Sequence, residues 1–138
     1  YSMVKHLEEE MAQKFVRWDP LLSITALRFS NVMDPADYAE FPSFDADARQ
    51  RSWNLWGYID ARDGASAIRL ALETSRPGYD VFNIFASDTV MSRPNTDLIA
   101  EVFPDVEIRG RLGENTSLTS TAKAERLLGW VPQHSWRD

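Results

Sequence analysis

Two short segments constrain the fold of this chain more than any others: Ile24-Thr25-Ala26-Leu27-Arg28-Phe29 and Asp80-Val81-Phe82-Asn83-Ile84-Phe85. The first is largely apolar and rich in strand formers, the pattern of a buried strand, and the second is an equally clear strand. Ahead of the first, Met3, Leu7, Met11 and Phe15 recur every four residues, with Val4 and Val16 widening the stripe. That period predicts an amphipathic helix over residues 2–17, stopped by Trp18-Asp19-Pro20 because proline disfavours helical geometry before it. Between the two strands, residues 31–42 read as a loop and the polar stretch 43–51 as a short helix. The aromatic run Trp53–Ile59 reads as a strand, and a helix from about Asp63, its expected N-cap, carries Ile68, Leu70 and Leu72. After the second strand, helices are expected at about 96–103, stopped by Pro104, and at about 121–128, capped by Gly129, with a short strand at 106–109 between them. Helices alternating with mostly buried strands mean α/β.

Composition supports a packed core and removes several function classes. The chain has 138 residues, 43% hydrophobic, with five tryptophans, which excludes intrinsic disorder. No apolar run approaches the roughly 18–20 residues of a membrane span, so a soluble chain with no membrane partner is expected. A net charge of −6 argues against nucleic acid as a partner. The absence of cysteine removes thiol nucleophiles and disulfides and suits a cytoplasmic location. With only His6 and His134 available, no metal site is expected.

Tyr1 and Lys5 lie four residues apart at the head of a helix, so their side chains face the same way. An ammonium beside a phenol favours the phenolate, which brings the hydroxyl towards a useful acid/base range. The alternative for Lys5 is an ordinary i,i+4 ion pair with Glu9. Trp53, Trp56 and Tyr58 could stack on a sugar or alternate into a core. Asp60 and Asp63 read as a strand-end charge and a helix cap rather than as a paired-carboxylate site. His6 points off the Tyr1–Lys5 face. No glycine-rich phosphate loop occurs in these residues.

Four stretches carry a resemblance when taken in order: Tyr1-Ser-Met-Val-Lys5, Ala26-Leu-Arg-Phe-Ser-Asn-Val32, Trp56-Gly-Tyr-Ile-Asp-Ala-Arg-Asp-Gly-Ala65 and Lys123-Ala-Glu-Arg-Leu-Leu-Gly-Trp-Val-Pro132. The chain resembles, over essentially its whole length, the C-terminal half of the extended short-chain dehydrogenase/reductases, specifically the NAD-dependent epimerase/dehydratase family. The resemblance implies the C-terminal portion of a Rossmann-type doubly wound fold plus a smaller α/β substrate-binding domain. Residues 1–32 would end the dinucleotide-binding half with the catalytic helix and following strand. Residues 33–138 would be mainly substrate-binding, with 56–86 returning to the Rossmann sheet.

The resemblance also implies roles. Tyr1 would be the general acid/base, and Lys5 would bond the nicotinamide ribose of NAD or NADP and lower the Tyr pKa. Phe29 and Ser30 would line the nicotinamide pocket, and Asn31 would contact the substrate. Trp56 stands where relatives commonly place a diphosphate-clamping arginine; an indole cannot replace that fork, but it could stack on a ring or fill core. Arg109 and Arg111 stand near the family's second phosphate-binding arginine, or are simply solvated. The glycine fingerprint and the rest of the cofactor site would lie upstream of Tyr1, so a catalytically inert C-terminal fragment is expected. Its exposed apolar strand and helix should favour self-association, and the family's catalytic helix suggests a homodimer. The substrate would be a small molecule, a sugar or nucleotide sugar. Alternatives are a simple NADP-dependent carbonyl reductase and a non-catalytic α/β ligand-binding module.

Overall fold

A computed structural model describes residues 1–138. The chain is mixed α/β. Helix α1 (Ser2–Trp18) leads into β1 (Ser23–Phe29) and the short β2 (Val32–Met33). Two 3-10 helices, Pro35–Ala46 and Ala48–Asn54, precede β3 (Ile59–Asp60) and α2 (Ala61–Glu73). Then come β4 (Gly78–Ile84), α3 (Asn95–Val102) and α4 (Ala122–Leu128). Strand β1 pairs in parallel with β4, from Ser23 opposite Gly78 to Phe29 opposite Ile84, and β2 pairs in parallel with β3. Parallel pairing needs a crossover connection; here the segment from β1 to β4 supplies it and carries α2 back across.

Two apolar clusters hold these elements together. Ile59, Phe82, Ile84, Ala67, Leu128 and Trp130 pack α2 and α4 against the strands. Phe41, Trp56, Tyr58, Met91 and Leu98 form the other, under the 3-10 helices and α3. Aromatic edges seal the second cluster: the Phe41 ring meets Tyr58 at 5.2 Å and Trp136 at 5.5 Å between centroids, both near-perpendicular. Helix α1 contributes no buried residue to either. Its apolar stripe is left outside, with Met3 76%, Leu7 58% and Met11 50% exposed. No helix is long and apolar enough to cross a membrane.

The middle of the chain departs from the sequence reading. The predicted loop at 31–42 contains β2 and most of the first 3-10 helix, which Asp34 and Asp37 open as a reciprocal capping box. The predicted short helix at 43–51 is the end of that helix and the start of the second, whose N-cap Asp47 accepts from the Arg49 N–H at 2.9 Å. The predicted strand at Trp53–Ile59 is mostly a sharp reversal. Leu55 and Trp56 are left-handed at φ 54° and 56°, a conformation that costs a non-glycine residue about 1 kcal/mol or more. What offsets the strain is burial: the turn drives the Trp56 indole wholly into the core, where Nε1 donates to the Ala48 carbonyl at 2.7 Å. Trp53 is left 70% exposed.

Two further expectations are corrected. The N-cap of α2 is Asp60, whose carboxylate accepts from the Arg62 N–H at 2.8 Å. Asp63 points instead into the C-terminal segment. Residues 106–109 form no strand. The cap of α4 is as expected: Gly129 is left-handed at φ 67°.

Candidate functional site

An open groove of about 570 Å³ lies between α1 and β1. Tyr1, Lys5, Glu8 and Glu9 line it from the helix, and residues 24–29 form the opposite wall. Strand β1 has β4 on one edge and no strand on the other, so its second edge of backbone N–H and C=O groups is left for the groove or solvent.

Helical geometry brings Tyr1 and Lys5 together as their spacing requires. The Lys5 ammonium lies 5.8 Å from the centre of the Tyr1 ring. It does not bond the phenol, however. Lys5 donates to Glu8 at 2.8 Å, and that carboxylate holds the ammonium above its ordinary range. The pairing expected with Glu9 does not form, because Glu9 is taken by Arg28 of β1 through two bonds of 2.7 and 2.6 Å. The Arg28 guanidinium in turn lowers the Glu9 carboxyl. This two-point clamp ties α1 to the strand, and both of its members line the groove.

The other sequence-predicted residues divide. Phe29 lines the groove, its ring 3.5 Å from where a side chain on Gly64 would begin. Ser30 follows it, with its N–H on the Ile84 carbonyl and its hydroxyl buried without a partner. Asn31, Trp56 and Arg111 do not line the groove. The Asn31 carbonyl accepts from the Ile59 N–H at 2.9 Å and joins β2 to β3. Trp56 is corrected from a substrate platform to a core residue, because no part of it reaches the surface. Arg109 pairs with Glu107 at 3.1 Å, and Arg111 is exposed on the same irregular segment.

Sequence reasoning missed Glu8 and the pairing of Glu9 with Arg28. Arg28 and Glu9 carry opposite charges but sit 19 residues apart, so no local spacing announces the pair. It also missed a second polar cluster, at the start of α2. There Asp60, wholly buried, takes a two-point bond from Arg62 at 2.8 Å and the Tyr38 hydroxyl. Arg62 and Tyr38 hold the Asp60 carboxyl well below the usual range, while burial, followed by Asp60 itself, pushes the Tyr38 hydroxyl well up.

No protein-family model matches the chain, and no curated protein matches it.

Proposed function

We propose that these residues are the catalytic-helix-onward portion of an NAD(P)-dependent enzyme of the epimerase/dehydratase type, with a Rossmann-type sheet continuing beyond β1. It would act on a hydroxyl or carbonyl of a sugar or nucleotide sugar. One observation carries the reading: Tyr1 and Lys5 project from one turn of α1 along the groove that β1 walls, with Phe29 at the same strand's end. The free edge of β1 supports a sheet that continues there.

The residues present fit the nicotinamide end of a cofactor. An ammonium, a phenol and an aromatic ring share one wall-lined space, whereas no glycine-rich turn in the chain fits a pyrophosphate. When bound, the cofactor supplies hydride acceptance and return. In this reading the Tyr1 phenolate would take a proton from the substrate hydroxyl at the carbon being oxidised, and the phenol so formed would return it on reduction. Lys5 leaves Glu8, bonds a ribose hydroxyl and favours the phenolate by its charge. Phe29 excludes water from one side.

The fragment expectation is tested by calorimetry with NAD and NADP on the 138-residue chain. No measurable binding is expected, and micromolar affinity overturns the view that other residues hold the cofactor. In the intact enzyme, Tyr1→Phe should lower turnover by about 10²–10⁴-fold, the usual worth of a positioned acid/base; unchanged turnover refutes the role. Inverted sugar without net reduction marks an epimerase, and consumption of NADPH by a free carbonyl marks a simple reductase. A second reading, a non-catalytic binding module, is favoured by the Lys5–Glu8 bond, which occupies the ammonium the mechanism needs.

A further inference from the structure

The second 3-10 helix carries a charge that the rest of the chain leaves unanswered. Arg51 is 9% exposed, yet no carboxylate lies within ion-pair distance of it, in a chain with 21 acidic against 15 basic residues. A buried guanidinium without a counter-charge is costly, and proteins normally pair it. Here the compensation is thin. The guanidinium carbon sits 4.8 Å from the centre of the Phe44 ring, a cation–π contact. Its one hydrogen bond in the chain is a long one, 3.4 Å from Nη2 to the Gly57 carbonyl. Nε is buried without a partner.

The surroundings repeat the theme. Gly57's carbonyl is already bonded by Asn54 Nδ2 at 2.9 Å, so Arg51 is its second and weaker donor. The Asn54 side-chain oxygen is buried and unpaired. Between Asn54 and Gly57 lie the two left-handed residues, Leu55 and Trp56. The strain of that turn is accounted for by the buried Trp56 indole, whereas nothing in the chain's own packing accounts for the under-bonded, buried cation beside it.

We infer that Arg51 is the centre of an oxyanion-binding site, taking a carboxylate or phosphoryl group end-on through Nη1 and Nη2, with the Phe44 ring as its floor. A planar fork with two donors on one edge suits either group. Nη1 makes no hydrogen bond within the chain and keeps the surface access that Nε lacks. The site does not depend on the Tyr1–Lys5 groove, which Arg51 does not line. Burial also pushes the guanidinium below its ordinary range, and an arriving anion would reverse that.

The test is thermal unfolding of the 138-residue chain with inorganic phosphate and, separately, acetate, each against sodium chloride at matched ionic strength. One of the two anions at ten times its Kd should raise Tm by about 4 °C, and chloride should not. The stronger anion tells a phosphoryl from a carboxylate site. Arg51→Gln should remove the rise, and Arg51→Lys, a point charge without a fork, should lose most of it. Equal rises in R51Q and wild type, or no rise with either anion, overturn the inference. Should R51Q fail to fold, side-chain NMR of the wild-type chain decides. A saturable shift of the Arg51 Nε–H signal with phosphate or acetate supports the site, and an unmoved signal refutes it.

Discussion

Replacing Asp63 tests how the C-terminal segment is held to α2. The carboxylate is 1% exposed, within α2, and all three of its partners lie about 70 residues away. One oxygen accepts the Gln133 and His134 backbone N–H groups, both at 2.9 Å, and the other meets His134 Nδ1 at 2.9 Å. Beside it, the Trp130 indole donates to the Asp63 carbonyl at 3.1 Å and to Ser66 Oγ at 3.0 Å. Asp63→Ala strands two backbone donors and one imidazole nitrogen. Each orphaned donor costs about 1–3 kcal/mol, and the half-buried setting of residues 133 and 134 puts the cost at the low end. The expected loss is ~3 kcal/mol, or about 10 °C in Tm for a chain of this size.

Asp63→Asn separates the acceptor from the charge. Its amide oxygen can keep both backbone bonds, and its NH₂ can face an imidazole that switches tautomer, so the loss should be only ~1 kcal/mol. Urea unfolding followed by tryptophan fluorescence reads both variants, since Trp130 reports directly on the joint. The slope against urea should stay at its wild-type value while the midpoint falls. A loss below ~1 kcal/mol for D63A refutes the anchoring argument. If D63N costs as much as D63A, the geometry of acceptance is not what holds the segment.

Gly129→Ala should cost about 1 kcal/mol, because the position is left-handed at φ 67° while no atom lies within 4 Å of an added Cβ; an unchanged urea midpoint would show that the cap tolerates a side chain. Asp60, held below the usual carboxylate range, should stabilise the fold in full above about pH 4 and lose that contribution as pH falls towards its folded value. The Tm gap between wild type and Asp60→Asn should therefore be widest at neutral pH and narrow steadily below pH 4, and a gap independent of pH removes the ionised Asp60 from the account.

Much of the regular structure was legible in the chain before any folding. The four-residue recurrence from Met3 to Phe15 marks α1, runs of strand formers mark β1 and β4, and Gly129 marks the end of α4. Each of these signals is local, written in the period or the φ preference of consecutive residues. The stretch from Asn31 to Ile59 was not legible. Its 3-10 helices have a period near three with no long amphipathic stripe, and its strained reversal at Leu55–Trp56 is tolerated only because the indole reaches a core built from distant residues. Asp63 shows the same limit: it has the chemistry of an N-cap, but a nearer aspartate takes that role and tertiary donors claim Asp63 for another.

The candidate groove divides along the same line. Helical spacing alone determined that Tyr1 and Lys5 share a face, since four residues make about one turn. The tertiary structure decided that Glu9 and Arg28 clamp the helix to β1, that Trp56 is core, and that Arg51 is buried without a counter-ion. Those outcomes depend on which distant charges and rings arrive alongside, and Coulomb and packing energies act through space at a few ångströms, whatever the separation along the chain.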